Sequence, residues 1–179
     1  MYKLRELKKE DIIDINKWRN NRELISYLGA PYRYINIDVD YAWYEDYLKI
    51  RNNTIRCAIV ECSNVEKILG LVSLTNVNRM DHSAVFHIMI GDMDKRGKGI
   101  GFYATTEMLK HAFLDINLNR VELTALENNM RALKMYEKVG FKREGMKREA
   151  IYKEGKFINV IMMSLLRNEY FDNYRSKIK

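Results

Sequence analysis

The sequence predicts a single mixed α/β domain, and three observations support this fold class. Predicted strands and helices alternate along 179 residues, a length that suits one compact domain. Hydrophobic residues make up 47% and charged residues 31%, which is a globular composition. No internal repeat or low-complexity linker is present. We therefore expect one domain over residues 1–179, with a core from about 2 to 166 and a C-terminal tail from 167 to 179.

The first half of the chain is predicted to contain helices that pack on strands. Residues 2–7 alternate as a short strand, and apolar residues at helical spacing predict a helix and a further helical turn within 9–28. Residues 38–50 form an aromatic-rich helix. Three strand-like runs follow at 54–62, 67–77 and 82–91, the last two joined by the polar turn "NRMD".

The second half continues the alternation. A helix is predicted at about 101–115, then the strand "RVELTAL" and the helix "NMRALKMYEKV", which Gly140 ends. Two strands, at about 141–149 and 157–166, are separated by "KEG", which favours a hairpin.

Composition and charge exclude several classes of protein. The net charge of +7 suits nucleic acid or a polyanionic small molecule, but the basic residues cluster only at 95–98 and in the tail "NYRSKIK", so nucleic acid is not favoured. Cys57 and Cys62 match no metal-ligand spacing, and with three histidines we expect no metal. The charged N-terminus and the absence of an apolar run of about 20 residues predict a cytoplasmic protein without a membrane segment.

A glycine-rich segment, "DKRGKGIGFY", precedes the helix at 101–115. It fails the dinucleotide fingerprint because Phe102 stands where the third glycine belongs, and it fails the P-loop pattern because Asp92 replaces its first glycine. Glycines that open a helix leave backbone N–H groups accessible to a phosphate, and the helix dipole favours negative charge there. Arg96 and Lys98 add positive charge. The segment therefore predicts an anion site.

Two segments resemble the motifs of the GNAT superfamily of N-acetyltransferases. Residues 96–101 match R/Q-x-x-G-x-G/A, and "ENNMRALKMYEKVGFKREG" resembles N-x-x-A-x-x-x-Y-x-K-x-G-F-x-x-E-G. The resemblance spans nearly the whole chain, and its C-terminal part is similar to the branch of ribosomal-protein alanine, spermidine and amino-sugar acetyltransferases. It implies a largely antiparallel central sheet, splayed between the fourth and fifth strands and flanked by helices.

The resemblance also implies acetyl-coenzyme A as co-substrate. Its pyrophosphate would bind the loop amides, and its pantetheine arm would pair with the strand at 87–91. Asn129 falls at a family position that contacts pantetheine, although it also suits a helix cap. The predicted coenzyme-binding residues are His87, Ile88, Met89, Ile90, Gly91, Arg96, Gly97, Lys98, Gly99, Ile100, Gly101, Phe102 and Asn129.

For catalysis, the resemblance places Tyr136 at the position of the general acid that protonates the departing thiolate; core packing is the alternative. The base is not assigned. Spermidine-specific relatives carry a glutamate where this chain has Val85, and His87 lies on the same side of that strand as a possible proton relay. A packed or hydrogen-bonded strand histidine is the alternative, and Glu61 and Glu122 are weaker candidates.

The acceptor site in this family draws on the N-terminal helices and the last hairpin. Trp18, Arg19, Tyr44 and Tyr47 suit a nucleotide-linked amino sugar, through stacking and phosphate pairing. A polyamine needs convergent carboxylates, and those of the helix at 38–50 are more typical of a solvated face: Asp38, Asp40, Glu45 and Asp46.

We rank an amino sugar ahead of a polyamine, with a protein N-terminus as a third acceptor. A non-catalytic module that binds coenzyme A is the alternative from another class. Relatives often dimerise, and "LLRNEYFDNY" would suit either a dimer contact or a simple terminal helix.

Overall fold

A seven-stranded mixed sheet forms the centre of the molecule. The computed structural model describes residues 1–62 and 66–176, with side chains to residue 172. The strand order is β1-β2-β3-β4-β5-β7-β6. The strands are β1 (Tyr2–Glu6), β2 (Ile55–Glu61), β3 (Lys67–Asn78), β4 (Ser83–Ile90), β5 (Arg120–Leu126), β6 (Lys142–Lys153) and β7 (Lys156–Leu166).

The sheet opens between β4 and β5, as the resemblance implied. These two strands are parallel and pair only where Ser83–Val85 faces Arg120–Glu122. Beyond Val85, β4 runs on to Ile90 and β5 to Leu126 without pairing to each other. All other neighbouring strands are antiparallel. The predicted fold class is therefore confirmed, including the position of the splay.

Helices cover both faces of the sheet. They are α1 (Ile12–Arg19), α2 (Arg22–Ser26), α3 (Ile37–Lys49), α4 (Ile100–Lys110), α5 (Met130–Val139) and α6 (Arg167–Ser176). The larger core cluster joins α4 and α5 to one face of the sheet, with Phe86, Met108 and Phe113 fully buried. The smaller cluster joins α1 and α3 to the other face through Ile12, Ile15 and other apolar residues. The two faces of the sheet are therefore covered by two separate clusters of buried apolar residues.

Local side-chain chemistry sets several boundaries. The helical region predicted at 9–28 divides because Asn21 accepts a hydrogen bond from the N–H of Leu24 (3.0 Å) and caps a separate helix, α2. Gly140 ends α5 with φ +122°, as predicted. The hairpin turn is also confirmed, since Glu154 and Gly155 both have positive φ. β6 extends to Lys153, beyond the predicted end at 149, because β7 pairs with it up to this turn.

The described part of the C-terminal tail packs back on its own domain. Arg167 donates to the carbonyl of Phe113 (2.9 Å), and the rings of Phe113 and Tyr170 lie 4.9 Å apart. Residues 167–176 therefore form a terminal helix, whereas the last three tail residues lie outside the described residues. Within the described ranges, no helix has the length and apolar character needed to cross a membrane.

Candidate active site

The glycine segment forms a loop with free amides between β4 and α4. Gly97 and Gly99 have φ of +85° and +80°, in the left-handed region that side chains other than glycine rarely adopt. Across the described chain, no residue accepts a hydrogen bond from the N–H groups of residues 97–102, and no side chain caps α4. These amides and the helix dipole therefore provide an anion-binding end at the start of α4.

Gly101 tests whether a phosphate-bearing molecule fits this loop. A Cβ atom at this position would lie 3.9 Å from the methyl group of Met135, which is an ordinary contact. Its backbone φ is not in the left-handed region. Neither packing nor conformation therefore requires glycine there, and the missing side chain leaves space beside the free amides. The loop suits the pyrophosphate of coenzyme A.

Two arginines lie at the loop, and only one of them was predicted. Arg96 lies over the ring of Tyr27, 4.8 Å from its centre, and burial lowers its pKa, with the nearby charge of Arg131 acting in the same direction. The guanidinium of Arg131 would lie 3.2 Å from a Cβ on Gly97, so it borders the loop. Sequence analysis missed Arg131; its place within the second motif is the signal that was available. Lys98 is exposed.

Tyr136 lies on α5, on the same face of the sheet as α4. Its ring packs edge-on against Phe86 (6.2 Å) and Phe141 (5.7 Å), and only 7% of the residue is exposed. Its hydroxyl makes no hydrogen bond with any residue that the structure describes. Burial raises the pKa of Tyr136 above its usual value of 10, so the phenol stays protonated at neutral pH. Such a group can donate a proton beside β4.

Asn129 caps α5, which was the alternative role considered for it. Its side-chain oxygen accepts from the N–H of Ala132 (3.2 Å), and its amide nitrogen donates to the carbonyl of Tyr27 (3.0 Å). The first bond caps α5, and the second ties the start of α5 to the end of α2 at Tyr27. One lone pair of the oxygen is left for a ligand, so the pantetheine contact stays a prediction.

The strand segment at 87–91 has two different surroundings. Beyond Val85 its edge toward β5 has no main-chain partner, so it is open to an extended ligand. Ile88 and Ile90 pack against the larger core. A Cβ on Gly91 would come within 1.9 Å of the Trp18 ring, so this glycine is needed for Trp18 to pack at the end of β4. The open edge is the feature that coenzyme binding requires.

His87 lies on the opposite face of the sheet from Tyr136. Its Nε2 atom is 2.9 Å from the hydroxyl of Thr75, so it is a hydrogen-bonded strand histidine. The residue is exposed, yet the protein atoms around the ring displace part of the water that would hydrate its charged form. This partial burial lowers the pKa of His87, and the charge of Arg56 lowers it further. The imidazole is therefore neutral at pH 7 and can accept a proton.

The weaker base candidates already have cationic partners. Lys95 contacts both carboxylate oxygens of Glu61 at 3.0 Å. Arg120 binds both Glu122 (3.0 Å) and Glu144. Hydrogen bonds from Arg120 and then Ser164 lower the pKa of Glu144 to about 2. These carboxylates therefore serve as ion-pair partners in this arrangement.

Of the four predicted acceptor residues, Trp18, Tyr44 and Tyr47 belong to the smaller apolar cluster on one face of the sheet. Trp18 packs against Gly91, and Tyr44 is half-buried beside Tyr47. Tyr47 is 3% exposed and donates to Glu6 (3.0 Å); burial, followed by this hydrogen bond, raises its pKa to about 12. Arg19 pairs with Asp40. Trp18 and Tyr44 are therefore the candidates nearest to a substrate surface, whereas Arg19 and Tyr47 make contacts within the protein.

Asp40 corrects an expectation about α3. Its spacing was typical of a solvated helix face, but the residue is 0% exposed, and it accepts hydrogen bonds from Asn16 (2.7 Å) and Arg19. The neighbouring Asp46 follows the expectation and is exposed. The packing of α1 on α3 buries Asp40, which the sequence of α3 alone does not reveal.

Arg56 on β2 is a further residue that sequence analysis missed. Its guanidinium lies 4.8 Å from the ring centre of Trp43, on the face of the sheet that bears His87. Its Nε atom is buried and makes no hydrogen bond. The available signal was a lone charge inside the apolar strand "TIRCAIVEC".

The opening between β4 and β5 defines the general class of protein. A molecule that extends along the free edge of β4 has the anion-binding loop at one end and the protonated Tyr136 beside its course. A phosphate-bearing thioester with a reactive acyl end has this shape and this need for an acid. The fold and site are those of an acyltransferase.

Comparison with known proteins identifies the family. Residues 2–142 match the acetyltransferase (GNAT) domain, and the chain belongs to this family. Spermidine N(1)-acetyltransferase of Vibrio cholerae is 30% identical over 170 residues, covering 94% of this chain and 95% of the relative. A putative ribosomal N-acetyltransferase of Bacillus subtilis, YdaF, is 30% identical over 103 residues, covering 58% of this chain and 56% of the relative.

A solved structure extends this similarity to the whole fold. Spermidine N-acetyltransferase from Vibrio cholerae, crystallised with CoA and spermine, superposes with a TM-score of 0.88 at 27% identity, covering 95% of this chain and 98% of that one. The chain is thus an acetyl-coenzyme A-dependent N-acetyltransferase, as the resemblance implied. Among the residues that the structure describes, no group of side chains is arranged to hold a metal ion.

Proposed function

We propose that this chain transfers the acetyl group of acetyl-coenzyme A directly to the primary amine of a small molecule, with Tyr136 as the general acid. The observation that carries this proposal is the position of Tyr136, a buried and protonated phenol without a hydrogen-bond partner among the described residues, next to the opening that follows Val85. The loop at 96–102 and the free edge at 87–91 hold the donor.

The reaction balances without a metal or an added reductant. The amine lone pair attacks the thioester carbonyl, so a carbon–nitrogen bond forms as the carbon–sulfur bond breaks. The departing sulfur takes its proton from the hydroxyl of Tyr136. The nitrogen loses a proton to water or, through the neutral imidazole, to His87. Tyr136 regains its proton from solvent after the product leaves.

The relatives support a polyamine acceptor better than the amino sugar that sequence analysis ranked first. Two spermidine N(1)-acetyltransferases, from Vibrio cholerae and Escherichia coli, are 30% and 28% identical over 94% and 97% of this chain. Spermidine and spermine are therefore the first acceptors to test. A nucleotide-linked amino sugar is the second candidate. Arg56, which has no ion-pair partner among the described residues, and the ring of Trp43 provide a cation and an aromatic group for it. Both lie on the face of the sheet that bears His87, which we call the acceptor face.

The test is thiol release from acetyl-coenzyme A with a panel of amines. The panel contains spermidine, spermine, a UDP-linked 4-amino sugar and a peptide that begins with alanine. We expect turnover of at least one amine, and Tyr136→Phe to lower kcat by about 10²- to 10⁴-fold with unchanged affinity for coenzyme A. Tyr103→Phe, which alters a tyrosine on α4, is the matched control. If Tyr136→Phe kept the full kcat of the native enzyme, Tyr136 would be excluded as the general acid.

Binding of coenzyme A without turnover of any amine would favour a non-catalytic binding module.

A cytoplasmic location is part of the proposal, because acetyl-coenzyme A is a cytoplasmic metabolite. A homodimer also stays a prediction. Sedimentation of the purified protein would decide it.

A further inference from the structure

Arg56 belongs to a row of polar side chains on the acceptor face. It pairs in register with Ser73 on β3, which pairs with His87 on β4. Neighbouring strands are about 4.8 Å apart, so the backbone positions of Arg56 and His87 are roughly 10 Å apart. His87 lies two residues beyond Val85, the last residue of β4 that pairs with β5, where the splay begins. Arg56 therefore lies roughly 10 Å from the place where we expect the acetyl group of the donor, which is a distance that a small acceptor molecule can span.

The side chain of Arg56 is partly buried and has no carboxylate partner among the described residues. Its Nε atom is buried without a hydrogen-bond partner, and no described residue forms an ion pair with the side chain. It lies 4.8 Å from the ring centre of Trp43 and 5.8 Å from that of Tyr47. Cation–π contacts offset part of the desolvation, but they satisfy no N–H donor. An arginine in this state has donors available for an anion from outside the protein.

Carboxylates on the surrounding elements are already bound to other cations. Glu6 pairs with Arg51 (2.7 Å) and accepts from the hydroxyl of Tyr47. Asp40 pairs with Arg19, and Glu122 pairs with Arg120. These acids neither neutralise Arg56 nor remain free for a polycation. The local charge therefore opposes a second ammonium group and favours a negative one.

We propose that Arg56 selects acceptors that carry an anionic group, a phosphate or a carboxylate, at a distance of roughly 10 Å from the amine that is acetylated. The inference rests on the proposed function, because it concerns the acceptor of the same reaction. The inference favours one of the two candidate acceptors. A nucleotide-linked amino sugar would place its diphosphate within reach of Arg56, whereas spermidine would bring further positive charge toward this arginine. Trp43 holds the guanidinium plane in position through its ring.

Turnover with charge-matched acceptors tests this inference. The acceptors are a UDP-linked 4-amino sugar, a short alanine peptide with either a free or an amidated C-terminus, and spermidine. We expect Arg56→Gln to lower kcat/KM for the preferred anionic acceptor about 10- to 100-fold, mainly through KM, and to leave spermidine unchanged or improved. Arg56→Lys, which keeps the charge, restores part of the loss. The sugar and peptide arms distinguish phosphate from carboxylate.

Arg79→Gln is the matched control, because Arg79 is an exposed arginine in the turn between β3 and β4. Thermal unfolding of each variant is measured alongside, since a purely structural role of Arg56 would lower stability and slow all acceptors alike. The inference is overturned if Arg56→Gln leaves the anionic acceptor unaffected, or if spermidine is acetylated more efficiently than both anionic acceptors by the native enzyme.

A binding experiment separates this inference from the proposed function. Uridine diphosphate and a short alanine peptide are each titrated calorimetrically into protein saturated with coenzyme A, which blocks the loop at 96–102. We expect one of the two to bind the native protein and to bind Arg56→Gln about 10- to 100-fold more weakly. Such binding without turnover of any amine would refute the reaction and keep the anion site. No binding of either probe would refute the anion site, whatever the turnover.

Discussion

At the scale of single residues, the loop before α4 contains glycines of two kinds. Gly97 and Gly99 are required by their positive φ, whereas Gly101 has an ordinary φ and room for a methyl group. The first kind shapes the backbone, and the second keeps space free for a ligand. Only the second kind can be replaced without disturbing the fold, so Gly101 separates ligand binding from stability.

We expect Gly101→Ala to weaken binding of coenzyme A at least about tenfold, because the added methyl group occupies the space beside the free amides. The free energy of unfolding should change by no more than about 1 kcal/mol, since alanine suits a helix better than glycine does. Calorimetric titration and urea unfolding measure the two quantities. Gly29→Ala, whose Cβ would lie 3.5 Å from Ile151, is the control. Unchanged affinity in Gly101→Ala would contradict the loop's assignment.

The two cysteines also differ at this scale. Burial, and to a smaller extent the charge of Glu6, raises the pKa of Cys57 to about 11, whereas Cys62 is exposed. Reactivity follows the thiolate fraction, so Cys57 should remain unmodified by iodoacetamide at neutral pH while Cys62 reacts. Mass spectrometry of the alkylated peptides checks this. Alkylation of both thiols at the same rate would show that residue 57 is more accessible than the structure indicates.

At the scale of elements, α1 and α3 are joined by a buried ion pair. Asp40 on α3 is fully buried and accepts hydrogen bonds from Asn16 and Arg19 on α1. The same face carries Ile12, Ile15 and Tyr47. The pair therefore links α1 to α3 on the face of the sheet that bears His87, while the apolar residues supply most of the buried area.

We expect Asp40→Ala to lower the free energy of unfolding by about 3–5 kcal/mol, because it leaves Arg19 without its carboxylate and removes one of the two acceptors of the Asn16 amide. Asp46→Ala, on the same helix, removes an exposed pair with Lys49 and should cost less than about 1 kcal/mol. Urea unfolding of both variants measures the difference. Equal losses would mean that the Asp40 pair is solvated in solution.

At the scale of the whole molecule, the charged side chains divide into those that form ion pairs and those that do not. The net charge is +7, and several described cations form no ion pair, among them Arg96, Lys98 and Arg131 at the loop and Arg56 on β2. Other charged side chains form ion pairs between distant parts of the chain, such as Arg5 with Glu66 and Arg120 with Glu144. These pairs make stability depend on pH.

Stability should fall in acid between pH of about 4.5 and about 2. Hydrogen bonds from Lys3 and then Arg5 lower the pKa of Glu66 to about 2, and those from Arg120 and then Ser164 do the same for Glu144. A carboxyl group with a lowered folded-state pKa stabilises the fold above its unfolded pKa, and this contribution is lost as pH falls through the folded pKa. Urea midpoints measured across this range check the loss.

Glu144→Gln should show a smaller decrease of the urea midpoint in acid than the native protein, because one of the responsible carboxylates is already absent. Glu154→Gln, at the tip of the β6–β7 hairpin, should behave as the native protein does. High salt reduces the effect, since both carboxylates are near the surface. A midpoint that stays constant through this range would show that these ion pairs add nothing to stability.

The order of elements was predictable because local periodicity controls it. Apolar spacing indicated each helix and strand, Gly140 and "KEG" indicated where α5 and the hairpin end, and the two motifs indicated the splay. The division of residues 9–28 into a helix and a further helical turn was predicted, and the Asn21 cap fixes where the second begins. The end of β6 was misplaced because its partner β7 extends it to Lys153, which a short local pattern does not contain.

By itself, the sequence determined the fold class, and its two motifs predicted the coenzyme loop and the role of Tyr136, because these depend on residues that are close together in the chain. The tertiary structure alone decided which charges are paired. Asp40 meets Arg19 across two helices, and Arg56 comes to lie in a row with Ser73 and His87 across three strands without an acid beside it. Burial and pairing of a charge are properties of the packed chain, since neighbours distant in sequence set the local dielectric and the available partners. The acceptor site that we propose includes such a charge, Arg56, which explains why motifs that are local in the chain predicted the donor better than the acceptor.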